Sequence, residues 1–376
     1  MVFSVNKKDI SDKLQHLMNV IPSKTTMMVL SNFRIDADSE TNKITIIATD
    51  LNITTIVKIN SNVVESGSTL VSAKHLHDII NSLPDSAINF SLKEETLVIE
   101  CGKSNFTINC IDTSLFPEIA FIENANEFSI DAANFKKLIQ NTSFCVSTES
   151  IHNIMNGVYL KIEDNLITMA ATDTKRIGEA KLKTDFLLRE PNESVLPPRA
   201  LNFIDKNITS DVDDIILKFD ERRVSVYLPD IVVICNKFEG RFPNYTVAFK
   251  NCPEKSLLVS KGDLKDAIKR VSLLSEDEDK LIKVSLGESE IIVESLISER
   301  GNAKESITGF SYDGDNVVFG INSRLLSALV NAVETDDVIM KINLNTEPIW
   351  ILNNTTYEDI EIRYVVMPMR IDNIRQ

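Results

Sequence analysis

One helix recurs three times along the chain at an interval of 125 residues. The segments Val71–Leu76, Leu196–Leu201 and Ile321–Leu326 each place a basic residue two positions before a leucine, and further apolar residues follow at steps of three and four. Such steps are helical spacing. Ser72 and Asn322 are favourable N-cap residues, and proline is tolerated at a helix start. The repeat therefore constrains the architecture before any other feature is considered.

Other short motifs fall into the same frame. Ala48–Asp50 has a counterpart in Ala171–Asp173, and Phe116-Pro117 returns as Phe242-Pro243 and then as Met367-Pro368. An earlier helix also recurs, with apolar pairs at Ile10 and Leu14, Phe135 and Ile139, and Leu264 and Ile268. Markers in one order at nearly one period indicate a repeated domain, because the period matches the usual domain size. We predict three domains of one fold, at residues 1–122, 123–253 and 254–376.

The segments between these helices are typical of β-strands. Ile44–Ile47, Thr54–Val57 and Ile231–Ile234 are short, β-branched and partly alternating. Short polar turns such as Asp313–Asp315 join most of the strands, and short joins mean antiparallel pairing. Each domain is therefore predicted to be α+β, with two helices on one face of an antiparallel sheet.

The charge of the chain is unevenly distributed. The formal net charge is −15, from 40 basic and 55 acidic residues, which taken alone argues against nucleic-acid binding. Acidic runs lie at Asp211–Asp214, Glu276–Asp279 and Glu334–Asp337, whereas the predicted helices are basic. Their basic residues are Lys7, Lys8, Lys13, Lys74, Lys136, Lys137, Arg199, Lys265, Lys269, Arg270 and Arg324.

Two interpretations of these basic helices are open. They are either ordinary solvated faces or a basic helical layer within an acidic protein, because the distribution of charge matters more than its sum. One cation recurs at Lys74, Arg199 and Arg324 in the three repeats, and this recurrence favours the basic layer.

The sequence contains no recognisable targeting or membrane segment. The N-terminal residues form no apolar signal segment, and no apolar run reaches the 18 residues typical of a spanning helix. The five cysteines are odd in number and form no CxxC pair, which indicates reduced thiols. We therefore expect a soluble, cytoplasmic protein.

The search for catalytic chemistry finds little. The sequence has no phosphate-binding glycine loop, no GxSxG motif and no HExxH motif. His75 and His77 lie two apart on a predicted helix and diverge, so they cannot share a metal. Asp50 and Asp173 could act as an acid–base pair, but their recurrence at one repeat position favours turn capping. We predict a protein without catalytic activity, cofactor or metal.

Several of these segments carry a resemblance to a known family. Tyr364–Ile371, Ala171–Asp173 with the following Lys175–Ile177, and Gly240–Tyr245 resemble motifs of the bacterial sliding clamps, the beta subunits of DNA polymerase III. The resemblance covers the whole chain. It implies three like domains per chain and two chains closing head to tail into a ring, with sheets outside and helices lining the hole. A head-to-tail contact gives a closed ring when the rotation closes.

The family has a partner-binding groove between its second and third domains. An apolar groove with a polar rim suits an extended peptide with leucine or phenylalanine anchors, and flexible methionines suit many partners. The resemblance implies as partners the replicative polymerase, the clamp loader and other proteins with a clamp-binding motif. The groove residues it implies are Met155, Thr172, Thr174, Arg176, Ile177, Pro243, Val247, Thr346, Pro348, Val365, Val366, Met367, Pro368, Met369, Arg370 and Ile371.

Two departures from the family pattern concern this groove. Relatives commonly have Gly-His where Thr174-Lys175 stand, and an arginine near Val247. The departures bear on affinity and selectivity for peptides rather than on the existence of the site.

The resemblance also implies a homodimer and contacts to double-stranded DNA. Ring closure is expected to bring Phe106 and Ile108 of one chain against Leu273 and Leu274 of the next, as apolar pairs exposed in a free monomer. The DNA contacts, to phosphate and without sequence preference, are expected from Lys24, Lys74, Arg199, Arg324, His152 and Asn153.

Two rival hypotheses are kept beside the clamp. One is a cytosolic protein-binding scaffold of three repeats with no role in DNA binding. The other is a hydrolase that uses Asp50 or Asp173. Retention on circular but not linear DNA distinguishes the clamp from the scaffold, and metal-dependent turnover lost in Asp173→Asn would be required for the hydrolase.

Overall fold

The computed structural model describes residues 1–123, 127–149, 153–187, 191–275, 280–296, 301–355, 357–369 and 371. Two compact units emerge from it, one formed by residues 1–136 and 199–237 and the other by residues 137–198 and 238–376. The helices within the described residues are α1 Lys7–Met18, α2 Ala73–Ser82, α3 Ala132–Gln140, α4 Pro198–Asn207, α5 Lys261–Val271 and α6 Ser323–Ala332.

The strands are short and numerous, as the sequence predicts. They are β1 Val2–Asn6, β2 Asn32–Asp38, β3 Lys43–Thr49, β4 Ile53–Asn60, β5 Asn62–Glu65, β6 Gly67–Ser72, β7 Ala87–Lys93, β8 Thr96–Cys101, β9 Ser104–Ile111, β10 Glu127–Asp131, β11 Val158–Glu163, β12 Leu166–Thr172, β13 Arg176–Lys183, β14 Asn192–Leu196, β15 Asp214–Phe219, β16 Arg223–Leu228, β17 Ile231–Asn236, β18 Ser256–Ser260, β19 Leu281–Leu286, β20 Ile291–Ser295, β21 Lys304–Ile307, β22 Ser311–Tyr312, β23 Val317–Asn322, β24 Asp337–Lys341, β25 Ile349–Asn353 and β26 Ile360–Val366.

The first unit contains one thirteen-stranded sheet, in the order β10-β15-β16-β17-β4-β3-β2-β6-β9-β8-β7-β1-β5. The sheet continues across a predicted domain boundary, because β4 pairs antiparallel with β17 and Ile56 lies opposite Val232. Helix α1 buries Ile10, Leu14 and Leu17 in the core. The apolar pair Ile10 and Leu14, predicted for the earlier helix of the first repeat, thus lies in the core.

The second unit contains two sheets. Nine strands follow the order β14-β11-β12-β13-β26-β25-β24-β18-β22, and four follow the order β21-β20-β19-β23. Here too the pairing crosses a predicted boundary, because β13 pairs antiparallel with β26 and Ile177 lies opposite Val365. Buried Leu264 and Ile268 of α5, together with Leu326 of α6, confirm that the predicted apolar steps face the interior.

The helix starts follow the N-cap chemistry expected from the sequence. The Ser72 hydroxyl accepts a hydrogen bond from the His75 amide, and the Asn322 side chain accepts from the amides of Arg324 and Leu325. Each cap satisfies backbone donors that have no partner inside the helix.

The ends of α2, α4 and α6 share a feature that the sequence did not reveal. In each case a lysine at the start of the preceding helix or within it donates through its ammonium group to a backbone carbonyl oxygen. The acceptor is the apolar residue directly after the last residue of the repeat helix. The pairs are Lys7 with Leu83, Lys136 with Ile208 and Lys261 with Val333. A cation at a helix C-terminus complements the helix dipole. Of the basic helix residues named from the sequence, Lys7 and Lys136 are therefore donors to a helix end rather than free surface charges; Lys261 was not among those residues.

Candidate functional site

The turn between β12 and β13 is built around Asp173. Its Oδ1 accepts from the backbone amides of Lys175, at 3.0 Å, and Arg176, at 2.9 Å. Its Oδ2 accepts from Arg176 Nε at 3.0 Å. Both oxygens are occupied by neighbours in the chain, which confirms turn capping as the role of this aspartate. The corresponding Asp50 accepts from the amides of Asn52 and Ile53 in the same way.

The same turn fixes the side chains expected at the site. The hydroxyl of buried Thr172 donates to the Arg176 carbonyl at 2.8 Å. Arg176 also donates through Nη2 to the Phe144 carbonyl at 2.6 Å and lies over the Phe144 ring. These contacts hold Arg176 close to the sheet rather than extended into solvent.

Thr174 lies at the tip of this turn with a positive φ of 74°. A β-branched residue is strained in this left-handed region, whereas glycine is not. Glycine is thus the residue that the turn geometry favours at this position. The chain keeps the turn because Asp173 and Thr172 hold it from both sides.

Backbone hydrogen bonds hold the C-terminal segment at two places, the turn between β12 and β13 and strand β23. The Met367 amide donates to the Lys175 carbonyl at 2.8 Å. Met369 then forms an antiparallel bridge with Gly320 of β23. Met367 and Met369 remain 41% and 37% exposed. The segment is therefore fixed by its backbone while its two methionine side chains stay accessible.

A third segment, which follows β17, packs against β12, β13 and β14 of the nine-stranded sheet. Phe242 and Tyr245 are buried and pack with Ala170 and Val195, and Ile177 packs against this cluster. Tyr245–Phe249 form a 3₁₀ helix in which Val247 is 55% exposed.

We call the three segments Thr172–Ile177, Pro243–Val247 and Met367–Met369 together the groove surface. They belong to one compact unit, and the contacts through Ile177 and Lys175 bring them side by side. The surface combines exposed apolar side chains with a fixed backbone, which suits the docking of an extended chain segment.

The remaining predicted groove residues have different environments. Met155 and Pro348 are half-buried and Thr346 is exposed, but Val365 and Val366 are fully buried in β26. Because consecutive residues of a strand point to opposite faces, the two valines lie on the two sides of the sheet, and neither is accessible to a ligand while the strand stays packed. Ile371 is half-buried beside Gly320, whereas Arg370 lies outside the described residues.

Sequence reasoning missed two residues that position this surface. Gly320 forms an antiparallel bridge with Met369, and buried Glu179 accepts a hydrogen bond from the Tyr245 hydroxyl. Gly320 lies just before the third repeat helix, where no motif marks it. A glutamate within the apolar pattern of a strand was the only available signal for Glu179.

The predicted DNA-contacting cations fall into two groups. Lys24, Lys74 and Arg324 are exposed, and none forms an ion pair within the described ranges. Arg199 instead pairs with Asp50 at 2.7 Å and donates to the carbonyls of Asn19 and Val20. Arg199 therefore has a structural role in the first unit, which the repeat alone did not reveal.

Some predicted features fall outside the described residues. These are His152, the side chain of Asn153, and the acidic run Glu276–Asp279.

Lys24 and Asp50 line a surface depression of about 540 Å³ together with Met27 and Leu51.

The residues expected at ring closure are exposed to different degrees. Leu273 is 73% exposed, while Leu274 and Phe106 are half-buried. Ile108 is only 8% exposed, so the expectation that a single chain exposes it is wrong. Ile108 points into the first unit, where it lies opposite Leu97 of β8.

The titratable groups near the groove surface do not have the properties of catalytic residues. Burial raises the pKa of the Cys145 thiol to about 12, and burial likewise raises the pKa values of Tyr245 and Tyr364. Such groups stay protonated at neutral pH and are poor nucleophiles. Across the described part of the chain, no cluster of three histidine, cysteine or acidic residues has the arrangement of a metal site. No helix there is long and apolar enough to cross a membrane.

Comparison with known proteins links this geometry to one family. The family models for the N-terminal, central and C-terminal domains of the DNA polymerase III beta subunit match residues 1–120, 129–244 and 249–370. The beta sliding clamp of Staphylococcus epidermidis is 26% identical over 380 residues, covering 98% of this chain and 99% of that protein.

Solved structures give the same fold. The DnaN sliding clamp of Pseudomonas aeruginosa bound to griselimycin has a TM-score of 0.91 at 22% identity, covering 99% of this chain and 100% of that one. The Bartonella birtlesii clamp bound to griselimycin has a TM-score of 0.91 at 24% identity, with coverage of 99% and 100%.

Proposed function

This chain belongs to the DNA polymerase III beta subunit family, and from this premise we propose that two copies close head to tail into a ring around duplex DNA. It is a DNA sliding clamp that gives DNA polymerase III its processivity, and it is an accessory subunit without catalytic activity. It has the three-domain α+β clamp fold. We place the domain boundaries after residues 122 and 253, and the protein in the cytoplasm, where bacterial DNA is replicated.

The proposed partner site is the groove surface. Its ligand is a short extended peptide with leucine and phenylalanine anchors, carried by the replicative polymerase, the clamp loader and other proteins with the same motif. The observation that supports this proposal is the exposure of Val247, Met367 and Met369 on segments with fixed backbones. Exposed apolar side chains gain free energy when a ligand removes them from water.

The proposed DNA contacts are to phosphate only. Lys24, Lys74 and Arg324 supply exposed positive charge, and in the described part of the chain none of them forms an ion pair. Phosphate contacts carry no sequence information and weaken as salt rises, which fits a protein that must slide. Arg199 contributes less, because Asp50 already neutralises it.

Removal of residues 367–376 tests the partner site. A peptide with leucine and phenylalanine anchors is expected to bind the full chain with a micromolar Kd, roughly −8 kcal/mol, and to lose binding in the truncated chain. The truncated chain is expected to remain a dimer in analytical ultracentrifugation. Unchanged peptide affinity after truncation would place the partner site elsewhere.

Retention on DNA tests the ring. A closed ring is expected to stay on nicked circular DNA and to slide off the same DNA once it is linearised. Equal loss from both forms would favour the scaffold without a DNA role.

A further inference from the structure

A carboxylate is buried behind the groove surface. Glu179 lies in the middle of β13 and is 1% exposed. Its Oε1 accepts from the Tyr245 hydroxyl at 3.1 Å, and its Oε2 accepts from Arg363 Nε at 3.0 Å and from Arg363 Nη2. The Lys181 ammonium lies 3.4 Å from the same Oε2. A carboxylate removed from water requires such partners to remain ionised.

Aromatic rings surround this ion pair. The Arg363 guanidinium lies 4.7 Å from the ring centroid of Phe249 and 5.8 Å from that of Trp350. The rings of Phe249 and Trp350 meet edge to face at 5.4 Å. A guanidinium over aromatic faces gains cation–π attraction and is also shielded from water. Arg363 thereby joins β26 to the 3₁₀ helix that contains Tyr245 and Phe249.

The segment held in this way is Pro243–Val247, one of the three segments of the groove surface, which we call its wall. Tyr245 is the first residue of the 3₁₀ helix that carries Val247, and its amide donates to the Pro243 carbonyl at 2.8 Å. Phe242 and Tyr245 pack edge to face, so the segment moves with the Tyr245 ring. Val247 itself is exposed and depends on its neighbours for position.

We propose that Glu179 is a positioning residue for the peptide site: through the Tyr245 hydroxyl and Arg363 it fixes the wall that carries Pro243 and Val247. This inference rests on the proposed peptide-binding function. Glu179 does not touch the ligand; it fixes the position of Val247 before the peptide arrives. A wall fixed in advance raises affinity, because binding then requires less ordering of the protein.

The hydroxyl of Tyr245 is the donor in this arrangement. Burial and the nearby Glu179 carboxylate both raise the pKa of Tyr245, so the phenol keeps its proton at neutral pH. Tyr245→Phe removes one oxygen atom and retains the ring, and it therefore isolates the bond to Glu179. Glu179→Gln keeps the shape of the side chain but removes its charge, which leaves Arg363 with the more distant and exposed Glu361 carboxylate, 3.6 Å from its Nε.

The first arm of the test measures how mobile the backbone of the wall is in the absence of ligand. Hydrogen–deuterium exchange of backbone amides in residues 244–250 is expected to rise at least tenfold in Tyr245→Phe and in Glu179→Gln. Amides of Met367 and Met369, which bond to Lys175 and Gly320, are expected to exchange as in the wild type. Unchanged exchange in residues 244–250 in both variants would overturn the inference, whatever the peptide does.

The second arm measures affinity for a synthetic peptide with leucine and phenylalanine anchors. Each single variant is expected to bind about tenfold more weakly, and the double variant no more weakly than Glu179→Gln, because the Tyr245 hydroxyl acts only through Glu179. Additive losses would overturn the link through Tyr245. Glu163→Gln is the matched control, since Glu163 pairs with Lys161 in the same sheet, and it is expected to bind like the wild type.

The two arms separate the two proposals. If the wild-type chain does not bind the peptide, the proposed function of the groove surface fails, and the exchange experiment still decides whether Glu179 fixes the wall. If the wild type binds and the variants bind equally well despite faster exchange, the role of Glu179 in binding is overturned while the peptide site stands.

Discussion

Gly320 and Met369 exchange two backbone hydrogen bonds, of 3.2 Å from the Gly320 amide and 2.8 Å from the Met369 amide. A Cβ atom on Gly320 would lie 2.9 Å from the Met369 carbonyl oxygen, closer than real side chains approach. The absence of a side chain at Gly320 is thus a condition for the C-terminal segment to lie along β23. The position of Met367 and Met369 at the groove surface depends on it.

Gly320→Ala is therefore expected to displace Met369 and weaken peptide binding about tenfold, or ~1.4 kcal/mol. Fluorescence anisotropy with a labelled peptide measures the loss. Gly287→Ala is the matched control, because a Cβ there meets neighbours only at ordinary distances of 3.4 Å and beyond. Equal affinities for the two variants would contradict the prediction.

The helices were predictable from sequence because their signals are local. The repeat predicted α2, α4 and α6 from apolar spacing, and Ser72 and Asn322 cap two of them as expected. Asp173 was likewise recognised as a turn residue, since an aspartate caps amides within three residues of itself.

The long-range contacts were not predictable in the same way. The bond between Glu179 and Arg363 joins residues 184 positions apart, and it forms because β13 and β26 are adjacent in one sheet. Strand order across domain boundaries leaves no periodic trace in a single sequence. The burial of Ile108 was missed for the same reason, because strand alternation alone does not say which face is covered.

Thr174 gives a prediction about stability. Thr174→Gly is expected to raise the free energy of unfolding by about 1 kcal/mol, since relief of left-handed strain outweighs the added freedom of the unfolded chain. Differential scanning calorimetry measures the change. Asn165→Gly is the control, because Asn165 also has a positive φ, of 57°, but asparagine tolerates it. A lower Tm for Thr174→Gly than for the wild type would refute the strain argument.

The lysines at the helix ends give a second prediction about stability. Lys261→Met is expected to lower the free energy of unfolding by about 1 kcal/mol, because the Val333 carbonyl loses its charged donor at the end of α6. Lys265 is exposed and lies on α5, the helix that also carries Lys261, so Lys265→Met is expected to have little effect on stability. Urea denaturation compares them, and equal midpoints would show that the ammonium of Lys261 adds nothing.

The cations expected to contact DNA differ in whether they form an ion pair, and their variants are therefore expected to differ in Tm. Lys74→Glu with Arg324→Glu is expected to reduce retention on circular DNA at physiological salt while leaving the Tm unchanged, since both side chains are exposed and unpaired within the described residues. Arg199→Glu is expected to lower the Tm as well, because it places a second carboxylate beside Asp50. A strong preference for one DNA sequence, or retention insensitive to salt, would count against phosphate contacts.

Leu273 tests ring closure most directly. It is 73% exposed in the short 3₁₀ helix Ser272–Leu274 that follows α5, so its side chain adds little to the core of its own unit. Leu273→Asp is therefore expected to give a folded, soluble monomer, because an aspartate in an apolar contact must be desolvated without a partner. Half-buried Leu274 is left in place, since changing it would also disturb the fold.

The matched control for Leu273 is Leu187→Asp. Leu187 lies in the same compact unit, is 84% exposed and has no expected place at the ring contact. Sedimentation velocity is expected to give a monomer for Leu273→Asp and a dimer for Leu187→Asp, with equal far-ultraviolet circular dichroism. If Leu273→Asp sediments as a stable dimer, the two chains meet through other residues, and the carry-over of Phe106, Ile108, Leu273 and Leu274 to ring closure is wrong.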